Sequence, residues 1–263
     1  MDVERIVKLL SPFLPSDAEQ FRAREIAPRI STYIDILLRW NARMNLTAIR
    51  DPEEIVRRHF GEGLFAAQHL FPNGANVGTA ALGCPAEQSS ASGLPDLSTG
   101  TAQSGRAALQ GRVKSAKDGT SAPAVADLGS GAGFPGIPIK LWAPQISLTL
   151  IESNQKKSIF LREVARTLTL MNVDIQNSRA ESLPQASFDV VTLRAVERFD
   201  AILPTAAVLV APGGNLALLI GSAQLAQAEE VLVGFDVSES IPIPESRSRV
   251  LMIARKRIQG MNQ

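Results

Sequence analysis

The chain has 263 residues, of which 45% are apolar and 20% are charged, and its formal net charge is +1. This composition is ordinary for a soluble globular protein, and the balanced charge means that any nucleic-acid contact must be a local patch. The single cysteine excludes an internal disulfide and a multi-cysteine metal site. Because the sequence has no signal-peptide pattern and no apolar run near the roughly 20 residues that cross a bilayer, we expect a cytoplasmic protein without membrane contact.

The first predicted region, residues 1–72, is helical. Ser16 or Asp17 can cap a helix that includes the run STYIDILLRWNARMN, in which apolar residues recur at helical spacing. Asp51 is the predicted N-cap of a later helix, with Pro52 at its first position. The inward stripe of that helix is predicted to consist of Ile55, Val56, Phe60 and Leu64.

Residues 73–123 differ in kind from the rest of the chain. They are rich in alanine, glycine, serine and threonine, contain no aromatic residue, and show neither helical nor strand periodicity. Such a segment has too little apolar surface to offset the entropy of ordering it. We therefore predict a flexible surface insertion, in which Cys84 has no catalytic role.

From residue 124 to 263, short apolar runs alternate with helical patterns, which predicts a parallel sheet with helices on both faces. The predicted strands are AVADL, SLTLIES, the start of VDIQNSRAESL, FDVVTLRA and NLALLI. The segment DAILPTAAVLV is predicted to be helical despite Pro204, and APGG is predicted to be a turn. The end of the chain, VGFDVSESIPIP and RVLMIARKR, is expected to add an antiparallel pair of strands. The helix NQKKSIFLREVARTLTL is predicted to place on one face Ile159, Phe160, Val164 and Leu168.

A glycine-rich loop follows the first of these strands in VADLGSGAGFPGIPI. A literal G-x-G-x-x-G is present as Gly131, Gly133 and Gly136, and by itself it would nominate a dinucleotide. The register of that fingerprint is wrong, however, because Gly129 closes the strand and Phe134 falls on the third-glycine position. The better description is Asp-x-Gly-x-Gly-x-Gly, from residue 127 to residue 133.

The acid of that pattern, Asp127, bears on the choice of ligand. A carboxylate at the strand end would repel a pyrophosphate, whereas it suits a ligand with an ammonium group and a positive centre. S-adenosylmethionine has both, as an α-amino group and a sulfonium, and it has no phosphate. The alternative role for Asp127 is a carboxylate that caps the loop.

The next two strands support a nucleoside ligand. Glu152 ends the second strand, where its carboxylate can accept hydrogen bonds from both ribose hydroxyls. Its alternative role is a favourable charge at the N-terminus of the following helix. After the third strand, Ala180 and Glu181 are placed to reach the adenine edge, although an exposed loop acid explains Glu181 equally well.

The chemical class of the methyl acceptor can be narrowed by excluding acceptors whose methylation needs residues that this chain lacks or places elsewhere. Methylation at carbon 5 of a pyrimidine needs a cysteine nucleophile, and the one cysteine lies in the predicted insertion. Methylation of an exocyclic amine commonly uses an Asn/Asp-Pro-Pro-aromatic stretch, where this chain has TLRAV. Methylation of oxygen favours a lysine or histidine base, yet His59 and His69 lie in the helical region. A nitrogen that is nucleophilic without losing a proton, such as N7 of guanine, needs no base, and we assign no catalytic residue.

Several basic residues are candidate contacts to the cofactor or to RNA. Arg194 ends the fourth strand and is expected to face the cleft, where it can contact the cofactor or orient a phosphate; a surface ion pair is the alternative. Two further clusters of basic residues could contact RNA. Acidic residues alternate with the basic ones in the cluster of the helical region, so a solvated helix face is favoured there over an RNA contact, and the same interpretation is preferred for the C-terminal cluster. These clusters are Arg39, Arg43, Arg50, Arg57 and Arg58, and Arg247, Arg249, Arg255, Lys256 and Arg257.

Several segments together resemble the bacterial small-subunit ribosomal RNA guanine-N7 methyltransferases, also called glucose-inhibited division protein B. They are LLRWNARMNLTAIRDPEEIVRRHF, ADLGSGAGFPGIPIKL, LIESNQKKSIFLREV, SRAE, FDVVTLRAV and APGGNLALL. The combination of WN…NLTAI with GSGAGFPGIP is highly specific to that family.

This resemblance implies an α/β class I (Rossmann-like) S-adenosylmethionine-dependent methyltransferase fold, with residues 124–263 as the cofactor-binding core. It also implies S-adenosylmethionine as methyl donor without a metal, and 16S ribosomal RNA or the small ribosomal subunit as partner. A monomer is the default expectation. Carried over by motif, the cofactor contacts are Gly129, Phe134, Glu152, Ala180, Glu181 and Arg194.

The sequence departs from the family pattern at three places. The predicted insertion replaces what is usually a short link, Gly63 stands where a serine is usual, and Ile220 stands where a lysine is common. The loss of that lysine weakens the RNA assignment more than the cofactor assignment. A small-molecule methyltransferase and a non-catalytic RNA- or ribosome-binding protein therefore stay open, while the register of the glycine loop disfavours a nicotinamide-dependent oxidoreductase.

Overall fold

The part of the chain that the structure, a computed structural model, describes comprises residues 1–72, 122–194 and 199–258. Nearly all of the predicted insertion, including Cys84, lies outside the described residues, so its predicted flexibility stays a prediction.

The N-terminal helices form where the capping residues predict. Ser16 and Glu19 make a reciprocal capping box, since each side chain accepts a hydrogen bond from the other's backbone N–H. The Asp51 side chain accepts from the N–H of Glu54, and Pro52 is the first helical residue. The bounds are α1 Val3–Leu10, α2 Asp17–Asn41, α3 Pro52–Ile55, a π-helical turn Val56–Gly61, and α4 Glu62–Leu70.

Strands and helices then alternate as expected. The strands are β1 Ala124–Leu128, β2 Ser147–Ile151, β3 Val173–Gln176, β4 Phe188–Arg194, β5 Val210–Gly221, β6 Phe235–Val237, β7 Ile241–Pro242 and β8 Arg249–Lys256. The helices are α5 Gly136–Trp142, α6 Gln155–Thr167, α7 Phe199–Leu209 and α8 Leu225–Val231, with short 3-10 turns at Ala180–Ser182 and Ser222–Gln224. Helix α7 contains Pro204, as predicted.

In the described residues, eight strands form one sheet in the order β3-β2-β1-β4-β5-β8-β6, with β7 paired to β8. Strands β1 to β5 pair in parallel, and β8 runs antiparallel to its neighbours β5, β6 and β7. Parallel pairing brings the carboxyl ends of β1, β2, β3 and β4 to the same edge of the sheet, which is where ligands bind in such folds.

Helices cover both faces of the sheet, as the alternation predicts. One buried cluster joins the N-terminal helices, α5 and α6 to one face, and a second joins α7 and α8 to the other. The helical region therefore shares a core with the sheet. The predicted inward stripe is confirmed, because all four of its residues are fully buried: Ile55, Val56, Phe60 and Leu64.

Three local predictions are wrong. Ile159 is 46% exposed, because the buried stripe of α6 follows the neighbouring set Phe160, Leu161, Val164 and Leu168. APGG is not a turn between elements, since β5 runs through it with a register shift against β4 and a left-handed Gly213. VGFDVSESIPIP forms two short strands instead of the one predicted, β6 and β7, although both pair antiparallel with β8 and the predicted antiparallel pairing is therefore confirmed.

None of the helices in the described ranges is both long and apolar enough to span a bilayer.

Candidate functional site

The loop between β1 and α5 turns sharply because its glycines adopt left-handed backbone angles. Gly129, Gly131 and Gly133 have φ of 65°, 55° and 83°. A Cβ at Gly133 would lie 2.6 Å from the side chains of Ile137 and Tyr33, so the loop packs too closely there for any side chain. The backbone can therefore pass tightly over the end of β1 and leave room at the edge of the sheet.

The buried side chain of Asp127 fixes this loop through hydrogen bonds. The carboxyl is fully buried; its Oδ1 accepts from the Thr192 hydroxyl at 2.8 Å, and its Oδ2 accepts from the N–H of Gly136 at 3.3 Å. Burial raises the pKa of Asp127 from 3.8 to about 6, partly countered by these hydrogen bonds. The expectation that Asp127 faces a ligand ammonium group is therefore wrong, and its alternative role as a loop-capping carboxylate is the one observed.

A crevice of about 220 Å³ lies where β1, β2 and β3 end. It brings together four of the six predicted cofactor contacts, because parallel strands present their carboxyl ends side by side. The lining residues are Gly129, Ile151, Glu152, Ser153, Ser178, Arg179, Ala180, Glu181 and Ile202.

Glu152 is the buried acid of this crevice and is only 6% exposed. Its Oε2 accepts from the N–H of Gly131 at 2.9 Å, and its Oε1 accepts from the N–H of Asn154 at 2.8 Å. The carboxylate thus fixes the glycine loop and the start of α6 at once. Each oxygen keeps a second lone pair for a hydroxyl donor.

Ser178 also lines the crevice and was missed from the sequence. Its Oγ is buried without a hydrogen-bond partner in the described residues. A buried hydroxyl in this state is costly unless a ligand or water supplies its partner. Together with Glu152, it makes the crevice chemically suited to the hydroxyls and ring nitrogens of a nucleoside.

The other two predicted contacts, Phe134 and Arg194, lie outside the lining of this crevice. The Phe134 ring is 6% exposed and stacks on Tyr33 at 5.3 Å and on His59 at 4.6 Å between ring centroids. Arg194 donates to His59 Nδ1 at 3.0 Å and to the carbonyl of Arg58 at 2.6 Å. Both side chains therefore meet at His59, between the glycine loop and the helical region.

His59 is neutral at this place, which we call the arginine junction and which comprises His59, Glu62, Arg58, Arg194 and Arg249. Burial and the charges of Arg194, Arg249 and Arg58 lower its pKa from 6.5 to about 3. Because a guanidinium only donates, Nδ1 of His59 carries no proton, and Nε2 carries it toward Thr47 Oγ1 at 2.8 Å.

Glu62 is the hub of the same junction and was not found from the sequence. It is 1% exposed and pairs with Arg194 at 3.0 Å, Arg249 at 2.9 Å and Arg58 at 3.3 Å. One carboxylate thus neutralises one of three guanidinium charges, which leaves the junction positive. The available signal was an acid in the otherwise apolar stretch FGEGLF, one helical turn after Arg58.

Gly63 and Ile220, the two positions expected to depart from the family pattern, are both closely packed. Gly63 lets α4 approach α5, because a Cβ there would lie 2.8 Å from Pro138 Cβ. Ile220 is 3% exposed in the core under α7 and α8, so it presents no surface to RNA.

One residue of the predicted basic clusters, Arg57, forms a solvated network of ion pairs with Glu53, Glu54 and Glu245.

Comparison with known proteins identifies one family. The sequence model of the GidB family, described as rRNA small subunit methyltransferase G, matches residues 26–86 and 111–242. The Ribosomal RNA small subunit methyltransferase G of Stenotrophomonas maltophilia is 32% identical over 219 residues, 83% of this chain and 80% of the relative. That of Halorhodospira halophila is 32% identical over 249 residues, 92% of this chain and 95% of the relative.

Among solved structures, a SAM dependent methyltransferase from Aquifex aeolicus aligns with 52% of this chain and 83% of its own, at 16% identity and a TM-score of 0.43. The fold itself follows from the strand order and the glycine loop after β1, which together are the class I, Rossmann-like methyltransferase arrangement expected above. With the family model and the curated relatives matching most of its length, the chain belongs to the GidB family of small-subunit rRNA methyltransferases.

Proposed function

We propose that this chain transfers the methyl group of S-adenosylmethionine to N7 of a guanine in 16S ribosomal RNA, in the cytoplasm and without a metal. The observation that carries the proposal is the crevice at the ends of β1, β2 and β3, which collects Gly129, Glu152, Ala180 and Glu181 in a chain of this family.

The residues of the crevice fit an adenosine. Glu152 would accept from the two ribose hydroxyls with its free lone pairs, and Ser178 would gain the partner that its hydroxyl lacks. Ala180 and Glu181 would meet the adenine edge. Phe134 and Arg194, on the other side of the glycine loop, would border the methionine end of the donor.

The chemistry asks little of the protein beyond orientation. The donor supplies a methyl group that its sulfonium already activates. The N7–methyl bond forms as the sulfur–methyl bond breaks, the electron pair returns to sulfur, and the positive charge moves to the guanine ring. No proton is removed in this step, so no base is needed, and His59 with its pKa lowered to about 3 would be a poor one. The chain's task is to hold N7 in line with the methyl group.

The positive junction favours RNA over a small uncharged acceptor. Arg194 directly follows Leu193, which is the register partner of Leu128 on β1, so the junction lies at the same sheet edge as the crevice. Arg58 and Arg249 add two further guanidinium groups there against the one carboxylate of Glu62. A phosphate backbone crossing this edge would meet an excess of positive charge.

The test is methyl transfer to the proposed substrate. Purified protein is incubated with labelled S-adenosylmethionine and either 30S subunits or naked 16S RNA from a strain that lacks the modification, followed by nucleoside analysis. We expect label in 7-methylguanosine from at least one of the two substrates. Label in neither would overturn the proposal in favour of a small-molecule or non-catalytic role, and label in another nucleoside would overturn the N7 assignment.

A further inference from the structure

A second cavity, of about 300 Å³, opens between the C-terminal end of α2 and helix α6. It shares no residue with the crevice at the strand ends. Its lining consists of Arg39, Trp40, Arg43, Met44, Lys156 and Glu163.

The charge of this basic-aromatic cavity is unbalanced. Glu163 is engaged twice, accepting from Arg39 at 2.6 Å and from the indole N–H of Trp40 at 3.0 Å. The side chains of Arg43 and Lys156 form no ion pair within the described residues. Three cations therefore face one acid, and two of them have donors available for an anion.

The indole of Trp40 is fixed beside these cations. Its N–H is held by Glu163, and its ring packs edge-to-face on Phe160 with centroids 5.8 Å apart. Trp40 is nonetheless only half-buried, and Met44 adds a polarisable apolar surface to the same cavity. A rigid, partly exposed aromatic ring next to free cations is the arrangement that binds a base by stacking and its phosphates by charge.

The cavity and the crevice are linked through one helix end. Helix α6 begins at Gln155, shortly after Glu152 of the crevice, and Lys156 lies in its first turn. An RNA strand whose target guanine lies at the methyl end of a donor bound in the crevice can thus continue past the start of α6 toward Trp40.

We propose that the basic-aromatic cavity binds a nucleotide of the single-stranded RNA that flanks the target guanine, with the base on Trp40 and the phosphates on Arg43 and Lys156. That this RNA belongs to the substrate rests on the proposed function. Binding of single-stranded RNA in the cavity does not depend on it.

Tryptophan fluorescence can test the cavity directly, because the chain has only two tryptophans. Trp142 is 2% exposed and donates to the carbonyl of Phe71, so the Trp142→Phe variant leaves Trp40 as the one reporter. We expect a 12-nucleotide single-stranded RNA to quench Trp40, and a duplex RNA of the same length to quench it far less. If Trp142→Phe does not fold, the difference between wild type and Trp40→Phe supplies the same signal.

The cations are tested by paired double variants. Arg43→Gln/Lys156→Gln should weaken RNA binding at least tenfold and lower the slope of log K against log salt by about 1.4, the value for two phosphates on a single strand. The control Arg29→Gln/Arg166→Gln removes the same charge from exposed positions outside the cavity. Absence of Trp40 quenching, or equal weakening by the control, would overturn the proposal.

Methylation of the RNA substrates, measured beside Trp40 quenching, distinguishes failure of this inference from failure of the proposed function. If neither 30S subunits nor naked 16S RNA are methylated but the oligonucleotide still quenches Trp40, the proposed function fails and the nucleotide site stands. If Arg43→Gln/Lys156→Gln methylates 30S subunits with an unchanged KM, the cavity has no part in substrate binding. If that variant loses affinity for 30S subunits but not for naked RNA, the occupant is a ribosomal protein and the inference is wrong.

Discussion

Replacing Glu62 by glutamine tests whether one buried carboxylate holds the arginine junction together. The substitution keeps the shape of the side chain and removes its charge, which leaves Arg194 and Arg249 largely buried without a counter-ion; the side chains are 8% and 16% exposed. Both contacts to Glu62 are 3.0 Å or shorter. Removing one partner from a buried, hydrogen-bonded ion cluster costs about 3–5 kcal/mol of unfolding free energy, and we expect a loss in that range.

Urea unfolding followed by circular dichroism measures this loss. The matched control is Glu54→Gln, because Glu54 is 48% exposed and meets Arg57 at only 3.5 Å, so its removal should change stability by less than about 0.5 kcal/mol. Adding Arg249→Gln to the Glu62 variant should cost less than the sum of the single losses, by at least about 1 kcal/mol. A Glu62→Gln variant as stable as the Glu54→Gln control would refute the buried-hub reasoning.

Three further variants probe the loop and the crevice. Because the pKa of Asp127 is raised to about 6, ionisation of its carboxyl opposes folding above that pH. Lowering the pH from 7.5 to 5 should therefore stabilise the wild type relative to Asp127→Asn by about 1.4 kcal/mol in urea unfolding. A difference in stability that does not change with pH would contradict this. Gly133→Ala combines a φ of 83° with a Cβ 2.6 Å from two side chains, so it should lower the free energy of unfolding by about 1–3 kcal/mol. The control Gly234→Ala has open space around it and should unfold like the wild type in the same assay. Ser178→Ala should leave the ligand-free thermal midpoint unchanged or higher and reduce its rise with S-adenosylhomocysteine, since the buried hydroxyl has no protein partner; a lowered ligand-free midpoint would count against that interpretation.

The features that local chemistry determines could be predicted from the sequence. The caps at Ser16 and Asp51 depend on residues within one turn, and both formed as expected. Four crevice residues could be grouped because the alternation of strands and helices predicts a parallel sheet, whose strand ends necessarily meet at one edge. Their roles as cofactor contacts stay predictions.

Long-range contacts explain what could not be predicted. The orientation of Asp127 is decided by Thr192, 65 residues further on, and Glu62 meets Arg194 across 132 residues. Neither separation leaves a periodic trace in the sequence. The error at Ile159 has a different cause, since adjacent stripes on an amphipathic helix differ by a single position and the neighbouring elements decide which one is buried.

Calorimetric titration with S-adenosylhomocysteine tests most directly whether the crevice at the ends of β1, β2 and β3 binds the donor nucleoside. Wild type is expected to bind one molecule, and Glu152→Gln to bind it about 1–3 kcal/mol more weakly, because the amide can neither accept from both ribose hydroxyls nor keep both backbone bonds. Glu229→Gln, on the exposed surface of α8, should bind as wild type does. Equal affinity of the wild type and the Glu152→Gln variant would contradict the assignment of the crevice.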